Sequence, residues 1–168
     1  MELESKILSR EIQRVLYDTH KTLGTAESCT GGRIAEAIIA VPGASSYFKG
    51  SIVSYTNDIK EKLLHVDRQV LEEQTAVCED VAKAMVRGAI QAMDVDFAVS
   101  ATGVAGPGGG TAESPVGTIW IAVGNKDEIK TILLTEDFGR DINLAIATNK
   151  ALSLLLEFVK DKLGSKEE

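Results

Sequence analysis

Apolar residues recur at helical spacing near the start of the chain, at Ile7, Leu8, Ile12, Val15, Leu16 and Leu23, and predict an N-terminal helix packed on one face. Leu23 to Glu27 reads as a short strand. It runs into Ser28-Cys29-Thr30-Gly31-Gly32 and a helical stretch through Ile39, which Pro42-Gly43 stops. Gly50 to Tyr55 alternates as a strand, and Thr56 or Asn57 is placed to cap a helix from Asp58 to Leu64. A longer helix is predicted from about Glu79 to Met93, with Val81, Met85, Ala89 and Ala92 on one face. Phe97 to Ala101 is an apolar strand entering a glycine-rich loop, Thr102 to Gly110. Val116 to Val123 and Glu128 to Thr135 read as a hairpin turning at Gly124-Asn125-Lys126, and a last helix spans about Arg140 to Lys162. The polar tail from Gly164 to Glu168 is expected to fray.

Helices alternate with strands early and a hairpin comes late, which predicts an α/β fold: a mixed β-sheet with helices on its faces. No repeat and no linker divides the chain, so residues 1–168 are expected to form a single domain. Sheets of this kind bind ligands at strand ends. Three polar or glycine-rich segments fall there, namely residues 27–32, 55–60 and 102–110, and they predict one site built from three loops.

Composition narrows the function class. The net charge of −7 argues against a broad nucleic-acid or membrane surface, which needs clustered Lys and Arg, but leaves room for one small phosphorylated ligand. The N-terminus, Met1-Glu2-Leu3-Glu4, is acidic and unlike a signal peptide, and no apolar run approaches bilayer length, so a cytoplasmic protein is expected. Cys29 and Cys78 fit neither a disulfide framework nor a zinc ribbon, and no paired His or Cys spacing predicts a metal.

Ser28 stands where a strand turns into a helix, beside two glycines that allow a tight turn, and a helix start offers N–H groups to an oxyanion. Capping is the commoner role for a serine or threonine at such a place, so either Ser28 or Thr30 is also a candidate cap. A serine nucleophile needs a base. His20 and His65 lie outside the glycine-rich loops, which leaves a Ser-His-Asp arrangement poorly supported. Lys60, in the first turns of a helix, is the other option, against the commoner role of a solvated surface lysine. Cys29 is an alternative nucleophile without an imidazole partner. The segment Thr102 to Gly110 holds five glycines and a proline and is able to aim N–H groups at an anion. It lacks the Gly-Lys-Ser/Thr ending of a P-loop.

Taken together, Ala26-Glu27-Ser28-Cys29-Thr30-Gly31-Gly32, Pro42-Gly43-Ala44-Ser45-Ser46-Tyr47-Phe48, Tyr55-Thr56-Asn57-Asp58-Ile59-Lys60, Ala76-Val77-Cys78-Glu79-Asp80-Val81-Ala82, Thr102-Gly103-Val104-Ala105-Gly106-Pro107-Gly108-Gly109 and Pro115-Val116-Gly117-Thr118 resemble the CinA C-terminal domain family, also known as nicotinamide-nucleotide amidases. The resemblance covers nearly the whole chain, in order. It implies a three-layer α/β/α sandwich and hydrolysis of nicotinamide mononucleotide to nicotinate mononucleotide and ammonia, in pyridine nucleotide recycling. It further implies Ser28 as nucleophile, Lys60 as base and Tyr55 as a supporting hydroxyl, with oxyanion donors around Thr30, Gly31 and Gly32. Ligand contacts are implied at Glu27, Thr102, Gly103, Ala105, Gly106, Gly108, Gly109 and Arg140. No cofactor and no metal are expected. The implied partner is a small nucleotide, with no nucleic acid or membrane, and a homodimer is expected. Many family members carry a further N-terminal domain, and this chain looks like the stand-alone form.

The chain departs from the family pattern in three places. The segment Phe138-Gly139-Arg140-Asp141 is shortened, and the position of a second arginine four residues on is Leu144. A usual serine is Cys78, and a usual lysine is Ser114. These departures leave two alternatives open: a nucleotide-binding or regulatory module without deamidase activity, and an amidase or esterase acting on a different, less anionic compound.

Overall fold

Alternating apolar positions give five strands in one sheet, in the order β2-β1-β3-β4-β5. The computed structural model describes residues 2–164. Strand β1 (Leu23–Glu27) lies between β2 (Phe48–Val53) and β3 (Phe97–Gly103) and runs parallel to both. Strands β4 (Ile119–Gly124) and β5 (Ile129–Leu134) add an antiparallel hairpin. Strands β1 and β2 finish level, with Glu27 opposite Val53, and β3 runs two residues past Ala101, the other partner of Glu27, so three chain segments leave the same edge side by side. That edge is where ligands gather in open α/β sheets.

Side chains alternate across each strand, and two cores result. Phe97, Val99 and Ala101 of β3 and Ile119, Ile121 and Val123 of β4 pack with α1 (Glu2–Leu16), α2 (Arg33–Ile39) and α6 (Arg140–Leu163). Ala98 and Ala122 face the other way, toward α3 (Asn57–Leu64), α4 (Arg68–Gln74) and α5 (Glu79–Met93). The result is the α/β/α sandwich with a mixed sheet that the sequence predicts. Helix α3 lies hard against α5. A Cβ on Gly88 of α5 would stand 2.1 Å from the Leu64 carbonyl oxygen, so only glycine allows this close approach.

Several local expectations are corrected. Leu23 belongs to β1, because α1 ends at Leu16 and the backbone turns through Asp18 and His20 at positive φ; His20 is therefore in a turn and not in the helix. Strand β2 runs from Phe48 to Val53, two residues earlier than the alternation implies, and β4 starts at Ile119 because Gly117, at φ 95°, turns the chain first. On α5 the buried face is Val81, Ala82, Met85, Val86 and Ala89, while Ala92 is exposed. Helix α4, capped by Asp67 onto the Gln69 N–H, is an addition to the elements predicted from the sequence. The hairpin turn forms as predicted, with the Asn125 Oδ1 accepting the N–H groups of Asp127 and Glu128.

Helix α6 also corrects the statement that no apolar run approaches bilayer length. Its 24 residues are long and apolar enough to cross a membrane by length and composition, although 56% of its most apolar window is buried inside the fold. Of the tail expected to fray, residues 164–168, Gly164 ends α6, and residues 165–168 lie outside the described residues.

Candidate active site

The three expected loops meet at the C-terminal ends of β1, β2 and β3 and enclose a cleft of about 240 Å³. Ser28, Cys29, Tyr55, Gly103, Val104, Ala105, Gly106, Gly108, Gly109 and Arg140 line it. At its floor Lys60 Nζ donates to Ser28 Oγ at 2.8 Å and to the Ser54 carbonyl at 2.9 Å. Two local features bring Lys60 there. Thr56 caps α3 through its hydroxyl on the Ile59 N–H, and the lysine one position later turns inward with 1% of its surface exposed. A buried ammonium costs desolvation energy that no carboxylate among the described residues offsets, and burial lowers the Lys60 pKa from 10.5 to about 8. Roughly a tenth of the side chain is then neutral at pH 7, enough to serve as a base. The solvated surface role weighed for Lys60 is excluded by this burial.

The other nucleophile candidates fall away. Burial pushes the Cys29 thiol up to about 12, so it stays protonated and weakly nucleophilic at neutral pH. His20 and His65 are both exposed, at the turn after α1 and the end of α3, and the Ser28 hydroxyl is bonded by Lys60 and not by an imidazole.

The oxyanion donors differ from the expectation. Helix α2 begins at Gly32 without a side-chain cap from Ser28 or Thr30. Its first free N–H groups, at Ile34 and Ala35, point instead at the carboxylate of Glu27. Gly31 at φ 58° and Gly32 at φ 102° tighten the turn, but the Gly31 N–H donates to the Ser28 carbonyl at 3.1 Å and is already used. The N–H groups of Cys29, Thr30 and Gly32 make no such backbone bond among the described residues, and those of Cys29 and Thr30 lie against the Cys29 thiol.

Two expected ligand contacts are also placed elsewhere. Glu27 is fully buried, with its carboxylate directed into the start of α2 and not into the cleft. Thr102 is buried and its hydroxyl donates to the Ala76 carbonyl, which ties the end of β3 to the segment before α5. Gly103 does line the cleft, and a Cβ there would lie 2.4 Å from the Thr118 carbonyl oxygen. Ala105, Gly106, Gly108 and Gly109 form the opposite wall.

Arg140, the first residue of α6, crosses the cleft mouth. It donates to the Gly106 carbonyl at 2.8 Å and to the Tyr55 hydroxyl at 3.5 Å. Sequence reasoning missed Asn143, which is buried and donates to the Ala105 carbonyl and to Asp137 while accepting the Phe138 N–H. It braces the turn that presents Arg140 against the glycine loop. Of the departures from the family pattern, the shortened segment brings Arg140 into this lining, whereas the three changed positions lie outside it. Leu144 is part of the core beneath α6, Ser114 closes a turn with Thr111, and Cys78 precedes α5 without capping it.

The profile of the CinA C-terminal domain matches residues 5–159. A CinA-like protein of Leptospira borgpetersenii is 48% identical over 118 residues, 70% of this chain and 28% of that protein. One from Gloeobacter violaceus is 46% identical over 143 residues, 84% of this chain and 34% of that protein. The chain thus spans about a third of the length of these curated relatives. Among solved structures, the competence/damage inducible protein CihA of Agrobacterium tumefaciens superposes with a TM-score of 0.89 at 35% identity, covering 92% of this chain and 94% of that one. A competence-damaged protein (CinA) superfamily member of Escherichia coli gives 0.86 at 36%, covering 94% and 91%.

Proposed function

The chain belongs to the CinA C-terminal domain family, and from that membership and its buried serine–lysine pair we propose that it is an amidohydrolase that converts nicotinamide mononucleotide to nicotinate mononucleotide and ammonia. The single observation that carries the proposal is the 2.8 Å contact between Ser28 Oγ and a Lys60 whose pKa is lowered to about 8 by burial.

In this reading neutral Lys60 takes the Ser28 proton as Oγ attacks the carboxamide carbon, while the Ser54 carbonyl holds an amine hydrogen and so aims the lone pair. The oxyanion draws its donors from the N–H groups of the Ser28 turn, among which that of Gly32 makes no backbone bond among the described residues. Protonated Lys60 then returns the proton to the departing ammonia, and water, deprotonated by the same amine, hydrolyses the nicotinoyl ester on Ser28. Arg140 and the glycine loop hold the phosphate end. We extend the proposal to a cytoplasmic homodimer.

One observation favours a second substrate. Arg140 is the one cation among the residues lining the cleft, and its guanidinium is already bonded to Gly106 and Tyr55, which suits a small amide without phosphate. Ammonia release from nicotinamide mononucleotide, nicotinamide riboside and nicotinamide, with wild type and Ser28→Ala, decides between them. The proposal requires release that is strongest with the mononucleotide and lost in the variant. Release from the unphosphorylated amides alone supports the second reading, and release that persists in Ser28→Ala refutes both.

A further inference from the structure

We infer that Glu27 is the positioning residue of this site: its carboxylate fixes the turn that carries the nucleophile, and its main chain anchors the lysine. The inference rests on the reading of Ser28 and Lys60 as the reacting pair.

The Glu27 carboxylate is fully buried, and no ion pair to it is seen among the described residues. Hydrogen-bond donors surround it instead. Oε1 accepts the Thr30 hydroxyl at 2.8 Å and the Ile34 N–H at 2.9 Å. Oε2 accepts the Ala35 N–H at 3.0 Å and one proton from the hydroxyl pair Thr25 and Ser51, which stand 3.1 and 3.4 Å away and are bonded to each other at 2.6 Å. A buried carboxylate is costly unless its lone pairs are filled, and these donors fill them. The turn Ser28 to Gly32 is thereby held at both ends. Its first residue is bonded by the Ser28 N–H to the Ala101 carbonyl, and its far end by Thr30 and the first turn of α2 to Glu27.

The main chain of the same residue reaches the base. The Glu27 carbonyl accepts the Ser54 N–H at 2.8 Å, and the Ser54 carbonyl accepts Lys60 Nζ. Ser28 follows Glu27 in the chain, and Lys60 hangs from it through one residue.

The substitution Glu27→Gln tests the side-chain half of this arrangement and leaves the main-chain half in place. Each carboxylate oxygen faces a backbone N–H that cannot reorient, so either orientation of a glutamine amide at this position sets donor against donor. The start of α2 must shift, and the nucleophile turn shifts with it. No group that lines the ligand end of the cleft is changed.

The experiment measures phosphonylation of the full chain by a fluorophosphonate probe. In that step the Ser28 Oγ–P bond forms, the P–F bond breaks, fluoride leaves and the hydroxyl proton passes to neutral Lys60. In Glu27→Gln the labelling rate and kcat should fall on the order of ten- to a hundredfold, with KM for nicotinamide mononucleotide within about twofold of wild type. Should Glu27→Gln fail to fold, Thr30→Val removes one of the four donors, and its labelling rate should fall roughly threefold. A purely structural role would lower the melting temperature and leave labelling of the folded protein unchanged. Labelling of either folded variant at the wild-type rate therefore overturns the inference while the reacting pair stands. A wild-type protein that is not labelled removes the reading of the pair and this inference with it.

Discussion

On one wall of the cleft, Ser28 and Lys60 are buried, locked to each other at 2.8 Å and backed by the donor-filled carboxylate of Glu27. On the other, Tyr55 is 60% exposed, Arg140 stands in solvent, and the glycine loop is held to the start of α6 by the Gly106 and Ala105 carbonyls. The reacting wall is preorganised at a cost, since a lysine is kept dry. The ligand wall is open, and its contacts can exchange with those of a substrate. In the proposed function, chemistry and substrate choice reside in separate parts of one small fold, and each should respond to mutation in its own way.

The sharpest break of the comparison comes from the reacting wall. Ser28→Ala and Lys60→Met should each lower kcat on the order of ten-thousandfold, with the ligand still binding in calorimetry. A loss of binding equal to the loss of rate would show that the two walls are not separable.

On the ligand wall, Arg140→Gln should raise KM for the mononucleotide on the order of tenfold to a hundredfold and change kcat little, because a charge-assisted contact to phosphate is lost. The unphosphorylated riboside should not notice the change. Steady-state kinetics with both amides reads the difference.

Stability should move in the opposite sense to activity at Lys60. Its folded pKa of about 8 lies below the value of 10.5 for a free lysine, so the unfolded chain binds this proton more tightly. Unfolding free energy should therefore rise as pH goes from about 8 to 10.5, with the destabilisation fully present below that window. Lys60→Met should stabilise the fold at pH 7 by about 1 kcal/mol, after allowing for the hydrogen bonds lost at Ser28 and Ser54. Urea unfolding across that pH range checks both the sign and the window.

Asn143→Ala leaves the buried Ala105 carbonyl without its donor and should cost about 1–3 kcal/mol in unfolding free energy, together with a modest rise in KM. Tyr55→Phe should have the smallest effect, a few-fold in kcat/KM, because the hydroxyl is exposed and its bond to Arg140 is long at 3.5 Å.

The same division governs how much is legible in the chain. The Ser28 turn is signalled locally by its glycine pair, but Lys60 reads by pattern alone as a solvated lysine and the bounds of β2 and β4 are misplaced by two or three residues, so it is the family resemblance that picks out the pair. Glu27 reads as a ligand contact because its true partners, the N–H groups of Ile34 and Ala35, lie seven and eight residues on, and nothing in the spacing says that a carboxylate closes a helix from behind. The assignment of Gly31 as an oxyanion donor fails for a related reason, since its N–H is used by the tight turn itself. Asn143 is invisible in the sequence because its partners come from two distant loops, and α4 because its seven residues carry only a short, mostly polar pattern. Leu23 fits a helical series by coincidence of spacing, a pattern that chain reversal after Leu16 breaks.

The most direct test of the central claim is ammonia release from nicotinamide mononucleotide followed against pH, for wild type beside Lys60→Met. The wild-type rate should climb as pH passes through about 8 and then level, while Lys60→Met stays on the order of ten-thousandfold slower at every pH. Turnover retained in Lys60→Met, with the wild-type pH dependence, would contradict it.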